Sequence, residues 1–383
     1  MKKLILSTFI LFAAFACDDN NETPTPAIDV QQEVLDQYAA MVYANYDDAV
    51  QTALTLQTAV DAFIADPSDA TLETAKAAWI ASRNPYGQTE AFRFYGGPID
   101  DENGPEGLIN GWPLDESYID YVEGNTESGI INDPVNFATI DKAALMDANE
   151  NGGETNLSTG YHAIEFLLWG QDFNDNGPGT RPFTDYTTAT NADRRATYLS
   201  VVTALLIENL TEVRDAWAAG ATYTTSFLAG GETSLANVLR GIGALSKGEL
   251  AGERMTVALE NGDQEDEHSC FSDNTKADIA MNFKGIDNVY KGIYTSSTGI
   301  VTSGTSLSDL LGAASAAKNQ TVLDLLSQSS TNIDGIPAPF DSALRAGDPN
   351  GNIESSIISL RNLSDAIVDA ALEIGIQVNA ELD

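Results

Sequence analysis

The chain contains only two histidines, His162 and His268, and each has an acidic residue three positions away. His162 precedes Glu165 in the segment Gly160–Trp169, in which nearly all of the remaining residues are apolar. On a helix, residues three apart lie on one face, and a helix that is apolar nearly all round is buried. Burying an imidazole and a carboxylate is costly unless they pair, find other hydrogen bonds or hold a metal ion. The spacing therefore predicts either a mutually satisfied structural pair or a ligand site.

The second histidine lies in an acidic block, residues 264–273, with the sequence QEDEHSCFSD. Glu265 and His268 repeat the three-residue spacing in the opposite order, and Ser269 and Asp273 add oxygen atoms. Carboxylates together with imidazoles suit zinc, iron or manganese, so a divalent metal such as iron or zinc is one candidate cofactor, although the sequence does not identify the cofactor. The alternative is a solvated acidic helix end, which the interleaved His, Cys and Phe make less favourable. The predicted metal ligands are His162, Glu165, Glu265 and His268.

Two arginines lie near acidic residues in other segments. Glu90 and Arg93 share a helix face in the aromatic segment TEAFRFYGGPID, which also contains Tyr95, and Arg254 lies in the segment GERM. A structural salt bridge would explain Glu90 and Arg93, and a pair that orients the groups around a ligand would explain them equally well. The predicted ligand-binding residues are Glu90, Arg93, Tyr95, His162, Glu165, Arg254, Glu265, His268, Ser269 and Asp273.

Three of these segments carry a resemblance to a known family. The pattern Gly-x-His-x-x-Glu at residues 160–165, continuing as FLLWGQD, is similar to the signature of the imelysin-like proteins, as are TEAFRFYGGPID and the GERM and QEDEHSCFSD segments. The resemblance implies a helical fold of two bundle-like domains, blocks that converge at the domain interface, an extracytoplasmic location and a link to iron uptake. The family was first classed with metallopeptidases, although many members are regarded as non-peptidases.

In the metallopeptidase alternative, His162 and Glu165 are the catalytic residues. The residues around them can be compared with the common zinc-peptidase helices. A zinc peptidase helix needs His-Glu-x-x-His or the inverted His-x-x-Glu-His. This chain has Phe166 where the inverted pattern requires a histidine. A zinc peptidase would have to recruit His268 from a distant segment and keep a water position open. The sequence therefore favours binding over hydrolysis.

The elements that carry these residues follow from apolar periodicity. Apolar residues recur at spacings of three and four from Val30 to Ala65 without an interrupting Gly or Pro, which predicts one long helix. Pro67 ends it, and Ser68 can cap the next helix. Strand signals are scarce, and the β-branched run at residues 221–226 is predicted to be a loop or a short extended piece. The further long helices are predicted at 191–219, 234–259 and 353–378.

These helices predict an all-α protein of two helical-bundle-like domains packed together. We place the N-terminal bundle, with His162 and Glu165, at residues 29–220 and the C-terminal bundle, with His268, at residues 221–383.

The N-terminus predicts export and a lipid anchor. Residues 1–16 combine two lysines with an apolar run that is too short to span a membrane, which is typical of a signal peptide. Cys17 follows small residues, so it resembles the lipidated first residue of a bacterial lipoprotein. Residues 17–28 are polar and contain proline, which predicts a flexible linker. We therefore expect a cell-envelope protein anchored at the outer membrane, on its periplasmic side or at the cell surface.

The charge of the chain narrows the classes of partner. A formal net charge of −38 repels nucleic acid and attracts cations. The leading hypothesis is a non-catalytic binding lipoprotein that holds a small ligand or a metal ion at the domain interface in iron uptake. The alternatives are the metallopeptidase described above and a surface scaffold or adhesion protein whose buried polar cluster only fixes the fold.

Overall fold

The computed structural model describes residues 30–174 and 177–382. Across these residues the chain is predominantly helical, and its only sheet there has two antiparallel strands, so the all-α prediction is confirmed. The predicted signal peptide, the anchor residue Cys17 and the linker to residue 28 lie outside the described residues. Over the described ranges, no helix is both long enough and apolar enough to cross a membrane.

The α-helices are α1 (Val30–Ala65), α2 (Asp69–Thr89), α3 (Glu106–Ile109), α4 (Glu116–Ile119), α5 (Lys142–Ala148), α6 (Gly160–Trp169), α7 (Ala192–Ala216), α8 (Thr222–Ala229), α9 (Glu232–Ala244), α10 (Val257–Asn261), α11 (Thr275–Lys291), α12 (Leu307–Ala314), α13 (Ala316–Asp334), α14 (Phe340–Arg345) and α15 (Asn352–Leu372). A π-helical stretch, Leu245–Thr256, joins α9 to α10. Short 3₁₀ turns lie at Glu90–Phe92, Ile130–Asn132, Phe183–Tyr186 and Gln264–Asp266. The strands are β1 (Ile293–Thr295) and β2 (Val301–Ser303).

Local sequence accounts for the first helical pair. Helix α1 has the predicted bounds, and its repeating apolar residues are buried against α2 and α7. Ser68 forms a capping box with Thr71, which satisfies backbone N–H groups that the first turn of α2 leaves without helical partners. Such a cap contributes about 1 kcal/mol, so the start of α2 is determined locally.

Helix α2 then connects the two halves of the sequence, because it packs against α1, α6 and α11. Glycines permit the close approach of α2 and α11: a Cβ atom at Gly285 would lie 2.3 Å from the carbonyl oxygen of Gln88. A single cluster of buried apolar side chains extends from α1 to α15. The domain boundary near residue 220 stays a prediction.

One local prediction is wrong. Residues 221–226 belong mostly to helix α8, and a β-hairpin was not anticipated. In α8 the ring of Phe227 stacks 5.5 Å from that of Tyr38 and lies 5.0 Å from that of Trp217. The Thr224 hydroxyl donates to the carbonyl oxygen of Ala216 at 2.9 Å. Tertiary contacts of this kind override a weak strand propensity.

Candidate functional site

The His162–Glu165 pair lies on α6 and is almost completely buried, with exposures of 1% and 0%. Nδ1 of His162 lies 2.9 Å from Oε2 of Glu165. The other oxygen of Glu165, Oε1, accepts from the backbone N–H of Ser272 at 2.9 Å and from its hydroxyl at 2.6 Å. The carboxyl group is therefore held from both sides, and it fixes the orientation of the imidazole ring.

The second histidine forms a matching pair with an acid that the sequence analysis did not select. Nδ1 of His268 lies 3.0 Å from Oδ2 of Asp278 on α11, which also accepts from the hydroxyl of Ser269. Arg83 on α2 binds both oxygens of Asp278, at 3.2 and 3.0 Å. The rings of His162 and His268 lie 4.7 Å apart, centroid to centroid. The fold thus brings the two predicted histidine blocks together.

The remaining ring nitrogens define what this pair of histidines can do. Nε2 of His162 is buried and has no hydrogen-bond partner among the described residues. Nε2 of His268 lies 3.4 Å from Nδ2 of Asn110, a long contact. Histidines that bind metals almost always use one ring nitrogen for the metal and pair the other with a carboxylate or carbonyl. Both histidines here have the carboxylate half of that arrangement.

The predicted four-residue metal site, however, is not assembled. Glu265 is exposed and makes no hydrogen bond with either histidine among the described residues. Both oxygens of Glu165 are already engaged. Within residues 30–174 and 177–382, no group of three or more His, Cys, Asp or Glu side chains could hold a metal ion. The residues that remain available to a metal are therefore the two imidazoles, and other atoms would have to complete its coordination.

The predicted Glu90–Arg93–Arg254 group forms a buried ion cluster next to the histidines. Oε2 of Glu90 lies 2.7 Å from Arg93 and 2.8 Å from Arg254. Glu106 binds Arg93 at 3.0 Å, and Glu249 binds Arg254 at 2.9 Å. Arg254 extends from the π-helical stretch, a rare backbone form that is often found at functional sites.

Two predicted ligand residues lie apart from the histidine pair. The hydroxyl of Tyr95 pairs with that of Tyr38 at 2.9 Å, and Tyr95 lines a separate cavity of 530 Å³. Asp273 has a left-handed backbone, with φ of 58°, and burial raises its pKa to about 7, with help from the charge of Asp341. Neither side chain contacts the two imidazoles in the described part of the chain.

Burial sets the charge state of the two pairs. It lowers the pKa of His162 well below its usual value, and the positive charge of Arg83 lowers it further. Burial likewise lowers the pKa of His268 to about 3. It raises the pKa of Glu165 to about 8, despite the hydrogen bond from Ser272. At neutral pH both imidazoles are therefore uncharged, and Glu165 carries the proton that lies between it and Nδ1 of His162. A metal ion at Nε2 of His162 would displace the proton on that nitrogen and require the Glu165 proton to move to Nδ1.

The buried acids beside the arginines behave in the opposite way. Burial would raise the pKa of Asp278, but Arg83 and His268 outweigh it and hold that pKa well below the usual range. Arg93 and Arg254 overcome the same desolvation at Glu90 and lower its pKa to about 2. Fixed negative charges at Asp278 and Glu90 thus lie next to two neutral imidazoles.

Gly160 shows how local sequence positions His162. Its φ is +86°, which L side chains rarely adopt, and a Cβ atom there would lie 2.6 Å from the carbonyl oxygen of Ile109. Glycine at this position lets α6 begin directly against the end of the short helix α3. Asn110, which follows α3, contacts both Arg83 and His268. The first residue of the Gly-x-His-x-x-Glu pattern therefore has a steric role.

Comparisons with known proteins identify the family of this chain. A peptidase family model described as Imelysin matches residues 42–367, which is most of the chain. The chain belongs to the imelysin family. It is 25% identical to iron-regulated protein A of Synechococcus elongatus over 280 residues, which are 70% of this chain and 66%, just under two thirds, of that protein.

Two solved structures have the same fold as this chain. An iron-regulated protein A precursor from Parabacteroides distasonis gives a TM-score of 0.70 at 20% identity, covering 92% of this chain and 97% of that one. An imelysin-like protein from Psychrobacter arcticum gives a TM-score of 0.67 at 14% identity, covering 92% and 98% of the two chains. At these identities the likeness shows the fold alone.

Sequence reasoning missed several polar residues of this imelysin's site: Arg83, Asn110, Ser272 and Asp278. One of them left a signal. Arg83 follows the buried Trp79 by four residues, so a charged side chain stands on the apolar face of α2 and requires a buried partner. Nothing in the local sequence identifies that partner as Asp278, which lies 195 residues away.

Proposed function

We propose that this chain is a non-catalytic binding protein of the cell envelope, which holds a small polar ligand or a metal ion at the two histidines. One observation carries the proposal: two buried imidazoles lie 4.7 Å apart, each held at Nδ1 by a carboxyl group, and Nε2 of His162 has no partner among the described residues. A buried polar atom left without a partner costs about 1–3 kcal/mol, which a bound ligand would recover.

Binding is favoured over hydrolysis by what surrounds the imidazoles. A metallopeptidase needs a metal with three protein ligands and an open water position, together with a base placed beside that water. In the described residues no such group of ligands is assembled, and Glu165 is committed to His162 and Ser272. A binding site needs only oriented polar atoms in an enclosed place.

The cellular context is part of the same proposal. The relatives are named iron-regulated proteins, which supports a role connected with iron. We propose that the chain is exported, anchored by a lipid on Cys17 and retained at the outer membrane, as the N-terminal pattern predicts. The negative charge of the chain would concentrate cations around the site, which favours a metal ion over an anion.

Metal titration tests the binding proposal. Calorimetry with Zn²⁺, and with Fe²⁺ in the absence of oxygen, should show one site in the purified protein and its loss in His162→Ala. Glu165→Gln should lose the site as well, because a glutamine amide that donates to Nδ1 keeps the imidazole proton on Nε2. Glu265→Gln is the matched control: because Glu265 is exposed and apart from the histidines, its binding isotherm should equal that of the wild type. Equal loss in all three variants would indicate general charge attraction and contradict the assignment.

Incubation with unfolded peptides separates binding from hydrolysis. We expect no cleavage above buffer. Cleavage that a chelator abolishes, and that is absent in Glu165→Gln, would replace this proposal with the metallopeptidase.

A further inference from the structure

A second cavity, remote in sequence from the histidines, lies between α1 and the α7–α8 turn. Its volume is 650 Å³, larger than that of the 530 Å³ cavity beside Tyr95, and apolar atoms dominate its lining. Ala40 and Ala44 of α1 form one wall, Ala218 and Ala219 of the turn form the other, and Trp217 and Leu228 are also part of the lining. Cavities of about 300–1,000 Å³ with mostly apolar walls commonly bind ligands or partner side chains.

An exposed apolar side chain extends this groove onto the β-hairpin. Thr302 of β2 lines the groove, and Ile300, two residues earlier and therefore on the same face of the hairpin, is 69% exposed. The hairpin is fixed to α1, because the buried carboxylate of Asp48 accepts from the hydroxyl of Tyr294 at 2.6 Å and from the backbone N–H of Ser297 at 2.7 Å. An apolar surface held rigidly in solvent is typical of a protein interface.

The shape of the groove favours a polypeptide occupant. Alanine side chains on both walls leave room for the backbone of a helix to approach closely, as small residues do at helix–helix contacts. The apolar surface continues past the cavity to Ile300, so it is longer than a small molecule that fills only the cavity would cover. Helices bind such grooves with apolar anchors at spacings of three and four.

The negative charge of the chain indicates which polar residues the partner helix should carry. Asp36 is exposed and lines the groove, and the chain as a whole has a net charge of −38. A partner with an acidic polar face would be repelled, whereas basic residues flanking an apolar stripe would gain attraction and faster association.

We infer that this groove, with the adjoining hairpin, is a docking site for an amphipathic helix of a partner protein, whose apolar face fills the groove and whose basic residues meet Asp36. The site is independent of the histidine cluster and of any metal bound there.

Synthetic helices test this inference on the purified chain. The probe is a fluorescein-labelled peptide of about 18 residues, long enough for about five helical turns, with leucines at helical spacing and lysines elsewhere. A second peptide has glutamates in place of the lysines, and a third has the leucines and lysines scrambled. Fluorescence anisotropy should show binding of the first peptide only, weakening as salt rises.

Variants locate the contact. Ala40→Trp fills the groove and should weaken binding at least about tenfold, as expected for blocking the centre of an interface. Ala62→Trp, on an exposed part of α1 outside the groove, is the matched control and should bind normally. Asp36→Asn should weaken binding more than Asp61→Asn, which removes an exposed charge elsewhere on α1.

Four results would overturn the inference. Equal binding by the scrambled peptide, or by Ala40→Trp and Ala62→Trp, would show general charge attraction. Binding to phosphatidylcholine vesicles that Ala40→Trp abolishes, without peptide binding, would assign the surface to lipid. Self-association in sedimentation that Ala40→Trp abolishes would assign it to a second copy of the chain. Circular dichroism of each variant establishes that the fold is retained.

Discussion

The imidazole of His162 and the carboxyl group of Glu165 face each other across one turn of α6, with Nδ1 and Oε2 2.9 Å apart and neither group exposed to solvent. Because burial raises the pKa of Glu165 to about 8, the carboxyl group is protonated at neutral pH, and glutamine is close to its isostere. We therefore expect the free energy of unfolding of Glu165→Gln to lie within about 1 kcal/mol of that of the wild type, since both sides of the group keep hydrogen bonds.

Glu165→Ala is the contrasting change. It leaves Nδ1 of His162 and the N–H of Ser272 buried without partners, which should cost about 2–5 kcal/mol. Urea unfolding at pH 7 measures both variants. Equal destabilisation by Gln and Ala would contradict the neutral pair and indicate a charged carboxylate.

The Arg83–Asp278 ion pair should dominate the stability of the site. Both side chains are 1% exposed, and Asp278 also pairs with His268. Asp278→Ala leaves the guanidinium buried without its main partner, so we expect a loss of about 3–5 kcal/mol in urea unfolding. Glu208→Gln is the control, because Glu208 binds Lys142 at the surface and should contribute less than about 1 kcal/mol. Similar small losses of stability in both variants would contradict the prediction that the Arg83–Asp278 pair dominates the stability of the site.

Gly160→Ala tests the steric role of the glycine that begins α6. The substitution combines a φ of +86° with a contact of 2.6 Å to the carbonyl oxygen of Ile109. We expect a loss of at least about 1–3 kcal/mol from the backbone alone, with a displaced His162. Thermal unfolding measures the loss. Gly262→Ala, which has a φ of +64° but no atom within 4 Å, separates strain from the clash and should lose less stability.

Stability should fall as the pH rises towards 9, and Glu267 should be one cause. It is 1% exposed, and burial raises its pKa to about 9, with Asp341 and Asp273 adding to the shift. Between pH 4.5 and about pH 9, the folded state therefore keeps a proton on Glu267 that the unfolded state has released. The contribution of Glu267 to stability declines in this range by up to about 1.4 kcal/mol per pH unit.

Glu267→Gln removes this titration. Its melting temperature should decrease less than that of the wild type between pH 6 and pH 9. Parallel curves for the two proteins would show that Glu267 is ionised in the folded state.

Lipid anchoring predicts a simple fractionation result. Cys17→Ser should release the protein from membranes and abolish labelling with a palmitate analogue. Cys270→Ser, which changes the chain's other cysteine, should remain labelled and membrane-bound. Labelling that persists in Cys17→Ser would refute the anchor.

Local rules were sufficient for much of the fold. The apolar repeat that predicted a helix from Val30 to Ala65 gives α1 its bounds, and Ser68 caps α2. These local rules failed where tertiary contacts determine the secondary structure. Residues 221–226 form most of α8 because Phe227 packs on Tyr38 and Trp217, and no property of those six residues encodes that contact.

The two histidine blocks show the same division within the site. His162 and Glu165 pair as their spacing predicts, because both lie in one α-helix, where residues three apart share a face. Glu265 and His268 have the same spacing but do not pair, since only Gln264–Asp266 is helical, as a short 3₁₀ turn, and the chain bends before His268.

The sequence alone determined the long helices, which residue types could do chemistry and how neighbours on α6 pair, because those properties depend on residues within one or two turns of each other. Only the tertiary structure decided that His268 pairs with Asp278, that Arg83 neutralises this acid and that the two imidazoles lie together. These partners come from α2, α6, α11 and the 264–274 segment. Their contact depends on how whole helices pack, which no local spacing specifies.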